Sequence, residues 1–571
     1  MKKMITILIL TSLAIYSFGQ IPEITWQNCF GTDEDENAKC ILKTDNGYLL
    51  GITLESDGPG ITNFHGVADA WIISVDTVGN VIWEKCFGGS EAETSHQIIK
   101  ASNHNYYLLN SSNSTDGDVQ SQSNGLTDFW IVKIDEVGNI LWERCYGSPN
   151  GDTPVDAIST PDGGLIFMGR IWTAGGDVQI YYGAYDIWFC KIDSLGNIEW
   201  EKTIGNEGID NAINLKLTSD TTFSFIGGYY ELGGMIDCYV PSTGSGADLW
   251  LVELNLSDGD ILNQYCYGGS YNDLGYYFEK LDDGYILVSS TTSNNGDVSG
   301  LHGPPGDPNY QDIWVVRIDE QGGIEWQKCL GGSGLEVPNY IGQTKDGGFM
   351  VIGYTRSYNG DVNGNHSMPG DADIWVVKLD KDGEIIWQHC YGGWGNDRFW
   401  GLNSVVKKDD NSYIILAQSD NGSDDVECTI NQGYYYDAWL FEIKDCSQYP
   451  VGGIGAITGP DTICMVYDST NLYTIDPVTG AWEYGWQLIP NEAGTINGSG
   501  SQATVNWVPG WEGTASISVR AMNDCDTSQW SQPQYTEVFT CLGIEELNAG
   551  KVKMRVYPNP AKGFVIFSSY A

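Results

Sequence analysis

Positive charge is scarce in this chain. Its 571 residues include 28 Lys and Arg against 75 Asp and Glu, which gives a formal net charge of −47 at pH 7. Nucleic acid is excluded as a partner on this balance, because neutralising phosphates requires clustered Lys and Arg. Binding to an anionic membrane surface is disfavoured for the same reason.

Long apolar runs are scarce as well. The stretch from Met4 to Tyr16 falls short of the ~20 residues that a membrane-spanning helix needs. It follows the charged start Lys2-Lys3 and precedes small residues, an order that predicts a secretory signal peptide over residues 1–19. No Cys follows it directly, so a lipid anchor is not expected. We expect an exported, soluble chain without a transmembrane segment.

Familiar catalytic motifs are missing. The chain has no Gly-x-Ser-x-Gly, no His-Glu-x-x-His, no phosphate-binding loop and no sialidase Asp box, so none of the chemistries these motifs support is indicated. Its 75 acids do not single out a pair for glycoside hydrolysis. The 72 Gly and 12 % aromatic residues instead predict short strands joined by tight turns, with enough apolar surface for a core.

A repeat of about sixty residues runs through most of the chain. Its first signature is Asp-x-Trp, followed by alternating apolar residues, a Gly-containing turn and a second alternating run, a pattern typical of a β-hairpin. The steps between successive Asp residues are 59, 58, 62, 64, 61 and 64 residues. The seven copies are Asp69/Trp71, Asp128/Trp130, Asp186/Trp188, Asp248/Trp250, Asp312/Trp314, Asp373/Trp375 and Asp437/Trp439.

The second alternating run carries its own signature, Trp-x-x-Cys. Complete copies stand at Trp26/Cys29, Trp83/Cys86, Trp142/Cys145, Trp326/Cys329 and Trp387/Cys390, and weaker ones at Trp200 and Cys266. Two more alternating runs follow each copy, so each unit is predicted to hold four short strands and no helix. Four-stranded units at a fixed period are typical of a β-propeller.

The phase of the two signatures predicts how the ring closes. Trp26 precedes the first Asp-x-Trp, and the last one, at Trp439, has no Trp-x-x-Cys strand after it. The N-terminal strand therefore completes the last blade. We predict an all-β, seven-bladed propeller over residues 20–447. An open β-solenoid is the competing architecture, but sixty residues are long for one coil and an open stack needs caps.

Regular repetition indicates structural roles. Each signature Asp is expected to accept N–H bonds from the preceding turn, and each Trp to pack between blades. The repeated Cys residues are expected to lie too far apart to pair with each other and are interpreted as small buried side chains. Asp76…Gly79…Trp83 is similar to the tryptophan-docking motif of quinoprotein propellers but one residue shorter, and is interpreted as blade packing.

The loops before Asp-x-Trp are where binding residues are expected, since loops on a rigid scaffold carry function. Four contain Gly-Asp-Val, which predicts either plain turns or weak calcium ligation. The turn interpretation is preferred, and no other cofactor is expected. The four candidates are Asp118, Asp177, Asp297 and Asp361. A single His per loop, at His65, His302 and His366, does not make a metal site.

After Cys446 the repeat stops, and residues 450–541 are predicted to form a separate β-sandwich. The run from Thr458 to Cys464, Trp486 and the run from Ser518 to Cys525 resemble the PKD-like immunoglobulin-type domains of secreted Bacteroidota proteins. The resemblance implies a Cys464–Cys525 bridge, which an exported chain permits, and a role as spacer or weak binding module.

The remaining cysteine partners stay open. These cysteines are Cys29, Cys40, Cys238, Cys428, Cys446 and Cys541. Cys29 or Cys40, near the ring closure, is a reasonable partner for Cys446.

The segment 544–571 contains Tyr557, Pro558, Asn559 and Pro560 in succession. This motif closely resembles the opening of the type A C-terminal sorting domain of the type IX secretion system, which implies the type IX machinery as a partner and a secreted or cell-surface location. Such domains are usually longer, so this copy is interpreted as truncated.

Two function classes remain open. The favoured one is a secreted or cell-surface, non-catalytic binding or scaffold protein with a glycan or a protein as ligand. The alternative is an extracellular polysaccharide hydrolase or lyase with its acids in the propeller funnel.

Overall fold

The computed structural model describes residues 22–58, 61–230, 234–238, 246–428, 435–445, 451–464, 469–523 and 527–540. Within these ranges the chain consists of strands and loops, with one 3₁₀ turn and no α-helix. No helix there has the length and apolarity that crossing a membrane requires. Contacts divide the chain into a unit from Ile21 to Lys444 and the remainder.

The first unit is a seven-bladed β-propeller, as the repeat predicted. Each blade is a sheet of four antiparallel strands. Blade one consists of β2 Glu36–Lys43, β3 Gly47–Leu54, β4 Asp69–Asp76 and β5 Val81–Phe87; blade two of β6 Glu93–Lys100, β7 Tyr106–Ser112, β8 Asp128–Ile134 and β9 Ile140–Tyr146; blade three of β10 Thr153–Ser159, β11 Leu165–Ile171, β12 Asp186–Ile192 and β13 Ile198–Ile204. Blade four consists of β14 Asp210–Leu217, β15 Thr222–Tyr229, β16 Asp248–Asn255 and β17 Ile261–Tyr267; blade five of β18 Asp273–Leu281, β19 Gly284–Thr291, β20 Asp312–Asp319 and β21 Ile324–Leu330; blade six of β22 Glu336–Gln343, β23 Phe349–Thr355, β24 Asp373–Leu379 and β25 Ile385–Tyr391.

Blade seven combines both ends of the unit. It consists of β26 Val405–Lys407, β27 Ser412–Ser419, β28 Asp437–Lys444 and the N-terminal strand β1 Glu23–Phe30. β1 pairs antiparallel with β28, from Glu23 opposite Lys444 to Phe30 opposite Ala438. The strand around Trp26 therefore lies beside the strand around Trp439, and the predicted closure is confirmed.

The Asp-x-Trp tryptophans form the core between the sheets. Six are fully buried: Trp130, Trp188, Trp250, Trp314, Trp375 and Trp439. A buried indole needs an acceptor for its N–H, and the adjacent outer strand supplies one. Trp130 donates to Glu143 Oε2 at 2.9 Å, and Trp375 donates to Gln388 Oε1 at 2.7 Å. In both cases the acceptor directly follows the Trp of the Trp-x-x-Cys signature.

The Trp-x-x-Cys tryptophans pack between blades. Trp83 lies against the turn glycine Gly138 of the next blade, and Trp326 lies against Gly383 in the same way. Both glycines have a positive φ, of 77° and 84°, a conformation that suits glycine. The interpretation of Asp-x-x-Gly-x-x-x-Trp as a packing motif agrees with this arrangement.

The second unit contains two small sheets. One holds β29 Thr462–Cys464, β31 Glu483–Ile489, β34 Gly513–Met522 and β35 Gln534–Phe539, and the other holds β30 Thr470–Thr474, β32 Gly494–Ser499 and β33 Gln502–Trp507. A 3₁₀ turn spans Asn491–Ala493. Residues of both sheets share one core, among them Tyr473, Val505 and Ile517.

Candidate binding site at the channel mouth

The central channel opens on one face of the propeller, called here the loop face. At this face each inner strand begins, each second strand ends, and the loops before Asp-x-Trp emerge. The inner strands of blades one to six each carry a one-residue bulge near their start, and bulges of this kind re-aim side chains. The bulged residues differ from blade to blade: Lys39, His96, Val155, Ile213, Tyr276 and Asn339.

Blade seven departs from this pattern. Its inner segment from Arg398 to Ser404 runs between two residues that pair with the second strand. Between the equivalent two pairings, the inner strand of blade one is three residues shorter. The extra backbone lies against blade one. Asn403 accepts a hydrogen bond from Ile41 N at 2.8 Å, and a Cβ on Gly401 would lie 1.6 Å from the Lys39 carbonyl oxygen. Only glycine fits at that approach.

Asn403 makes a contact across the ring below the mouth. Its Nδ2 donates to Asp156 Oδ1 of blade three at 3.0 Å. The same carboxylate accepts from Ala157 N at 2.9 Å, Leu215 N at 2.7 Å and Asn214 Nδ2 at 3.1 Å. Burial raises the pKa of Asp156 to about 7. This contact, called here the floor of the mouth, joins blades three and seven across the ring.

One wall of the mouth combines a tryptophan with two cations. The Arg398 Cζ lies 5.1 Å from the ring centre of Trp400 and 5.2 Å from that of Tyr436. The Lys39 Nζ lies 5.5 Å from the Trp400 ring, and burial lowers the pKa of Lys39 to about 8. These distances are within cation–π range. Trp400 nevertheless keeps 51 % of its surface exposed.

The opposite wall repeats this combination in blades three and four. The ring centres of Trp172 and Tyr185 are 5.6 Å apart, and the Arg170 Cζ lies 5.9 Å from the Tyr185 ring. Tyr230 of blade four is close enough for Arg170 and Tyr185 to influence its pKa. Trp172 and Tyr230 are 37 % and 36 % exposed.

Tyr276 and Tyr354 connect the two walls. Burial raises the pKa of Tyr276 to about 12, and the nearby hydroxyls of Tyr354 and Tyr230 add to the shift. Burial also raises the pKa of Tyr354, while Arg356 and Arg398 act to lower it. Aromatic and guanidinium groups therefore follow one another around the mouth from blade three to blade seven.

A cavity of about 610 Å³ extends the mouth between blades two and three. Trp172 lines it together with His96, Ser111, Leu126 and Asn150. His96 is half-buried, and desolvation lowers its pKa to about 3, so its ring is neutral at pH 7. Asp152 also lines the cavity, so the lining is polar with one acid, and the cavity is large enough for a small ligand.

The four loop aspartates lie away from the mouth, between blades. Each accepts an N–H bond from the first glycine after the preceding outer strand: Asp118 from Gly88 at 3.3 Å, Asp177 from Gly147 at 3.1 Å, Asp297 from Gly268 at 3.2 Å and Asp361 from Gly331 at 3.3 Å. These oxygens do not turn into their own loops, as calcium ligation there would require. Nowhere in the described ranges are three or more His, Cys, Asp or Glu side chains placed to hold a metal. Weak calcium binding stays a prediction.

Five of the Asp-x-Trp aspartates accept N–H bonds from the preceding loop, as expected: Asp69, Asp128, Asp186, Asp312 and Asp373. Asp128 Oδ2 accepts from Asn124 N at 2.6 Å. The three loop histidines use the same oxygen: their Nδ1 atoms lie 3.0 Å from Asp69, 2.7 Å from Asp312 and 3.0 Å from Asp373, for His65, His302 and His366 in turn. Each histidine therefore fastens its loop to a structural carboxylate.

A second buried acid faces each of these aspartates across a glycine, an arrangement called here the acid clasp. At Gly88 a Cβ would lie 2.5 Å from Asp69 Oδ1 and 2.6 Å from Glu93 Oε2. The other six junctions repeat the arrangement, with the pairs Asp128/Asp152, Asp186/Asp210, Asp248/Asp273, Asp312/Glu336, Asp373/Asp397 and Asp437/Glu36. The second acid was not predicted from the sequence, because it is Asp in four copies and Glu in three, although it stands five residues after the glycine in every copy.

Two repeated cysteines are bonded to loop cysteines. Cys29 pairs with Cys428, and Cys266 pairs with Cys238, each within one blade. The interpretation of these two as small buried thiols is therefore wrong, and Cys29 is not the disulfide partner of Cys446. Cys40 is a free thiol and is not its partner either. In the described ranges Cys86, Cys145, Cys190, Cys329 and Cys390 are also free.

Several predictions fall outside the described residues. They concern the signal peptide, Cys446, Cys525, Cys541 and the motif Tyr557–Pro560. Cys464 is disulfide-bonded, and its pairing with Cys525 stays a prediction.

Sequence reasoning missed the mouth residues although a signal was present. The chain contains seven arginines, and Arg170 occupies a position where other blades have Thr53, Ser111 or Ser290. Residues that depart from the repeat mark this site, whereas the predictions followed residues that conform to it.

Comparison with known proteins gives only weak likenesses in sequence. A PKD-like domain family matches residues 450–535, and no curated protein matches the chain. Among solved structures, a protein of unknown function from Dyadobacter fermentans DSM 18053 has a TM-score of 0.35 and 9 % identity, over 74 % of this chain and 99 % of its own. Puromycin hydrolase has a TM-score of 0.40 and 11 % identity, over 80 % and 62 %. Cobalt-substituted apocarotenoid oxygenase of Synechocystis has a TM-score of 0.34 and 12 % identity, over 62 % and 71 %.

Likenesses this weak carry no information on activity. By its sheets and its matched domain, the chain is a seven-bladed β-propeller followed in sequence by a PKD-like domain.

Proposed function

We propose that this chain is an exported, non-catalytic binding protein whose propeller takes a glycan at the channel mouth. In this proposal the type IX secretion machinery exports it to the cell surface or medium, and the PKD-like domain acts as a spacer. The signal-peptide pattern of residues 1–19 and the sorting motif Tyr557–Pro560 support the route.

The observation that carries the proposal is a set of exposed aromatic side chains around one depression. Trp172, Tyr230 and Trp400 are between 36 % and 51 % exposed on a rigid ring. Such concave aromatic surfaces are typical of ligand sites. The electron-rich faces of aromatic rings attract the C–H groups of a sugar ring, and neighbouring tyrosine and guanidinium donors suit its hydroxyl groups.

The enzymatic alternative has less support. A glycosidase needs two carboxyl groups about 5–9.5 Å apart with access to substrate. Asp156, an acid of the inner strands, lies at the floor of the mouth, where four donors hold its two oxygens. A carboxylate engaged in this way is positioned to brace the ring.

A glycan array probed with the full chain, combined with an activity screen on polysaccharides, tests the proposal. We expect retention of at least one glycan without turnover. Trp400→Ala is expected to weaken binding about tenfold or more, because stacking on an aromatic anchor dominates such sites. Trp530→Ala is the matched control, since Trp530 of the second unit is 42 % exposed and also lies 5.1 Å from an arginine, Arg520. Turnover of any bound glycan contradicts the non-catalytic assignment.

A further inference from the structure

Arginine is rare in this acidic chain, and three of its seven arginines stand at the channel mouth. Arg170 ends the second strand of blade three, Arg356 directly follows that of blade six, and Arg398 begins blade seven. Lys39 of blade one adds a fourth cation beside Trp400. The net charge of −47 therefore coexists with a local positive rim.

Arginines elsewhere in the propeller have protein partners. Arg317 pairs with Asp283 and has its Nε 3.5 Å from Glu325. Arg144 donates from Nη1 to the Gly196 carbonyl at 2.6 Å. These contacts show how the fold uses a guanidinium for structure, with an acid or a carbonyl in direct contact.

The mouth arginines lack such partners. Within the described part of the chain, the guanidinium groups of Arg170, Arg356 and Arg398 have neither an ion pair within 4.0 Å nor a hydrogen-bond acceptor, and all three Nε atoms are buried. An unmet buried donor is costly, more so when it is charged. The carboxylate of Asp420 is close enough to Arg398 for the guanidinium to act to lower its pKa, yet it does not lie within ion-pair distance. With 75 acids in the chain, three guanidinium groups left without an ion pair around one mouth indicate that they serve an acceptor from outside.

We propose that the mouth binds an acidic polysaccharide, with an anionic substituent held by Arg356 and Arg398 and the adjoining sugar ring stacked on Trp400. This inference rests on the proposed function and names its ligand class. A guanidinium offers a planar fork of donors that matches a carboxylate or a sulfate ester in bidentate geometry. Arg398 lies beside Trp400, so one sugar unit meets both contacts.

The shape of the mouth favours a sugar chain over other polyanions. The contact between Asn403 and Asp156 spans the ring below the mouth, so a linear ligand that stacks on Trp400 is expected to lie across the mouth. Long-range repulsion from the net charge of −47 disfavours ligands with dense charge such as nucleic acid. Widely spaced charges separated by apolar ring faces fit both the aromatic and the cationic groups.

Binding of matched polysaccharides to the full-length protein tests the inference. Polygalacturonate and its methyl ester share one backbone and differ only in the carboxylate, and dextran sulfate and dextran form the corresponding sulfate pair. We expect the wild-type protein to bind one acidic member at least tenfold more tightly than its neutral partner. The preferred pair identifies the anionic group as carboxylate or sulfate.

Substitutions assign the preference to the rim. The double variant Arg356→Gln and Arg398→Gln is expected to lose the tenfold preference while still binding the neutral partner, whereas Trp400→Ala weakens both forms. Arg520→Gln is the matched control, because Arg520 makes the same contact with Trp530 in the second unit and is expected to change nothing. The double variant Arg356→Lys and Arg398→Lys tests whether the planar fork of donors is needed, and partial recovery of the preference for the acidic polysaccharide is expected. Unchanged melting temperatures exclude misfolding of the variants.

Other outcomes separate the two proposals. Equal affinity for acidic and neutral partners, or a preference that survives the double Gln variant, overturns this inference and leaves glycan binding intact. Binding of poly-glutamate as tight as that of the acidic polysaccharide overturns the sugar assignment. Failure to bind any of the four polysaccharides or any arrayed glycan overturns the proposed function itself.

Discussion

At the scale of single residues, the sites that break the repeat are the informative ones. Gly401 lies where a Cβ would stand 1.6 Å from the Lys39 carbonyl oxygen. That approach places Trp400 on the wall of the mouth and Asn403 on its floor. One glycine in blade seven therefore positions both an exposed tryptophan of the mouth and a contact across the ring.

Gly401→Ala is expected to lower the free energy of unfolding by more than ~2 kcal/mol, because the backbone must move to relieve the overlap. Glycan binding is expected to weaken with it, since Trp400 moves. Thermal unfolding and binding measurements check both effects. Gly455→Ala serves as control because a Cβ there meets nothing within 4 Å, and an unchanged melting temperature for Gly401→Ala would contradict the argument.

At the scale of elements, the acid clasps join successive blades. Each holds two buried carboxyl groups beside one glycine. Burial raises the pKa of Asp152 and Asp273 to about 6, of Asp248 and Glu336 to about 7, and of Glu36 to about 8. The usual pKa values of these groups lie near 4. Between about pH 4 and pH 8 the folded chain therefore binds more protons than the unfolded chain.

Stability is therefore expected to decrease as the pH rises from 5 to 7. A carboxyl group whose pKa is higher in the folded state makes its full contribution to the free energy of unfolding below its unfolded-state pKa. That contribution is lost as the pH rises through the folded-state pKa. We expect the melting temperature of the propeller to fall by about 5 °C or more over this interval. His96, whose pKa is lowered to about 3, opposes the trend in this interval, whereas Lys216, whose pKa is lowered to about 7, opposes it mainly above pH 7.

Calorimetry at constant ionic strength measures this dependence. Asp248→Asn gives one clasp a neutral donor beside Asp273 and is expected to flatten the curve. A melting temperature that rises steadily from pH 5 to 7 would sink the assignment of the clasps as proton-binding pairs.

The two disulfides also act at the scale of elements. Cys29–Cys428 spans 399 residues of sequence and Cys238–Cys266 spans 28. A bridge that closes a longer loop removes more entropy from the unfolded chain, by about 6 against about 4 kcal/mol on the chain-entropy argument. Replacing both Cys29 and Cys428 by Ser is expected to lower the melting temperature more than replacing Cys238 and Cys266. Equal losses would contradict the entropic origin.

The repeated elements could be predicted from the sequence and the mouth could not. Asp69 and Trp71 recur seven times because every blade packs in the same way, so their spacing predicts strands, blade number and ring closure. Arg398 and Trp400 occur once, in a segment of blade seven that is three residues longer than its counterpart in blade one and whose path depends on contacts with blade one. A unique contact of that kind leaves no periodic trace in the sequence.

At the scale of the whole molecule, the ring depends on one N-terminal strand. β1 is the outer strand of blade seven and pairs along its length with β28. Trp439 also donates its indole N–H to Gln27 at 2.8 Å. Without β1, the edge of β28 and its tryptophan lose their partners.

Deletion of residues 22–30 is expected to give a propeller that aggregates or unfolds at least ~10 °C lower, since an uncovered strand edge recruits other chains. Size-exclusion chromatography and thermal unfolding measure the outcome. Removal of residues 535–540 from the second unit is the comparison, expected to leave the propeller transition in place. A monomeric deletion variant with the original transition would contradict the role of β1.

The antiparallel seam between β1 and β28 also fixes how the propeller responds to tension. Glu23 and Lys444 are partners at one end of the seam, so a force that separates the two chain ends peels the strands apart one pair at a time. Peeling requires less force than sliding all the pairs together. The disulfide between Cys29 and Cys428 lies near the other end of the same seam. It therefore stops the separation of β1 from β28 before blade seven comes apart. Under tension the seam is therefore expected to open by a few residue pairs and then stop at the disulfide, and to open further once the disulfide is reduced.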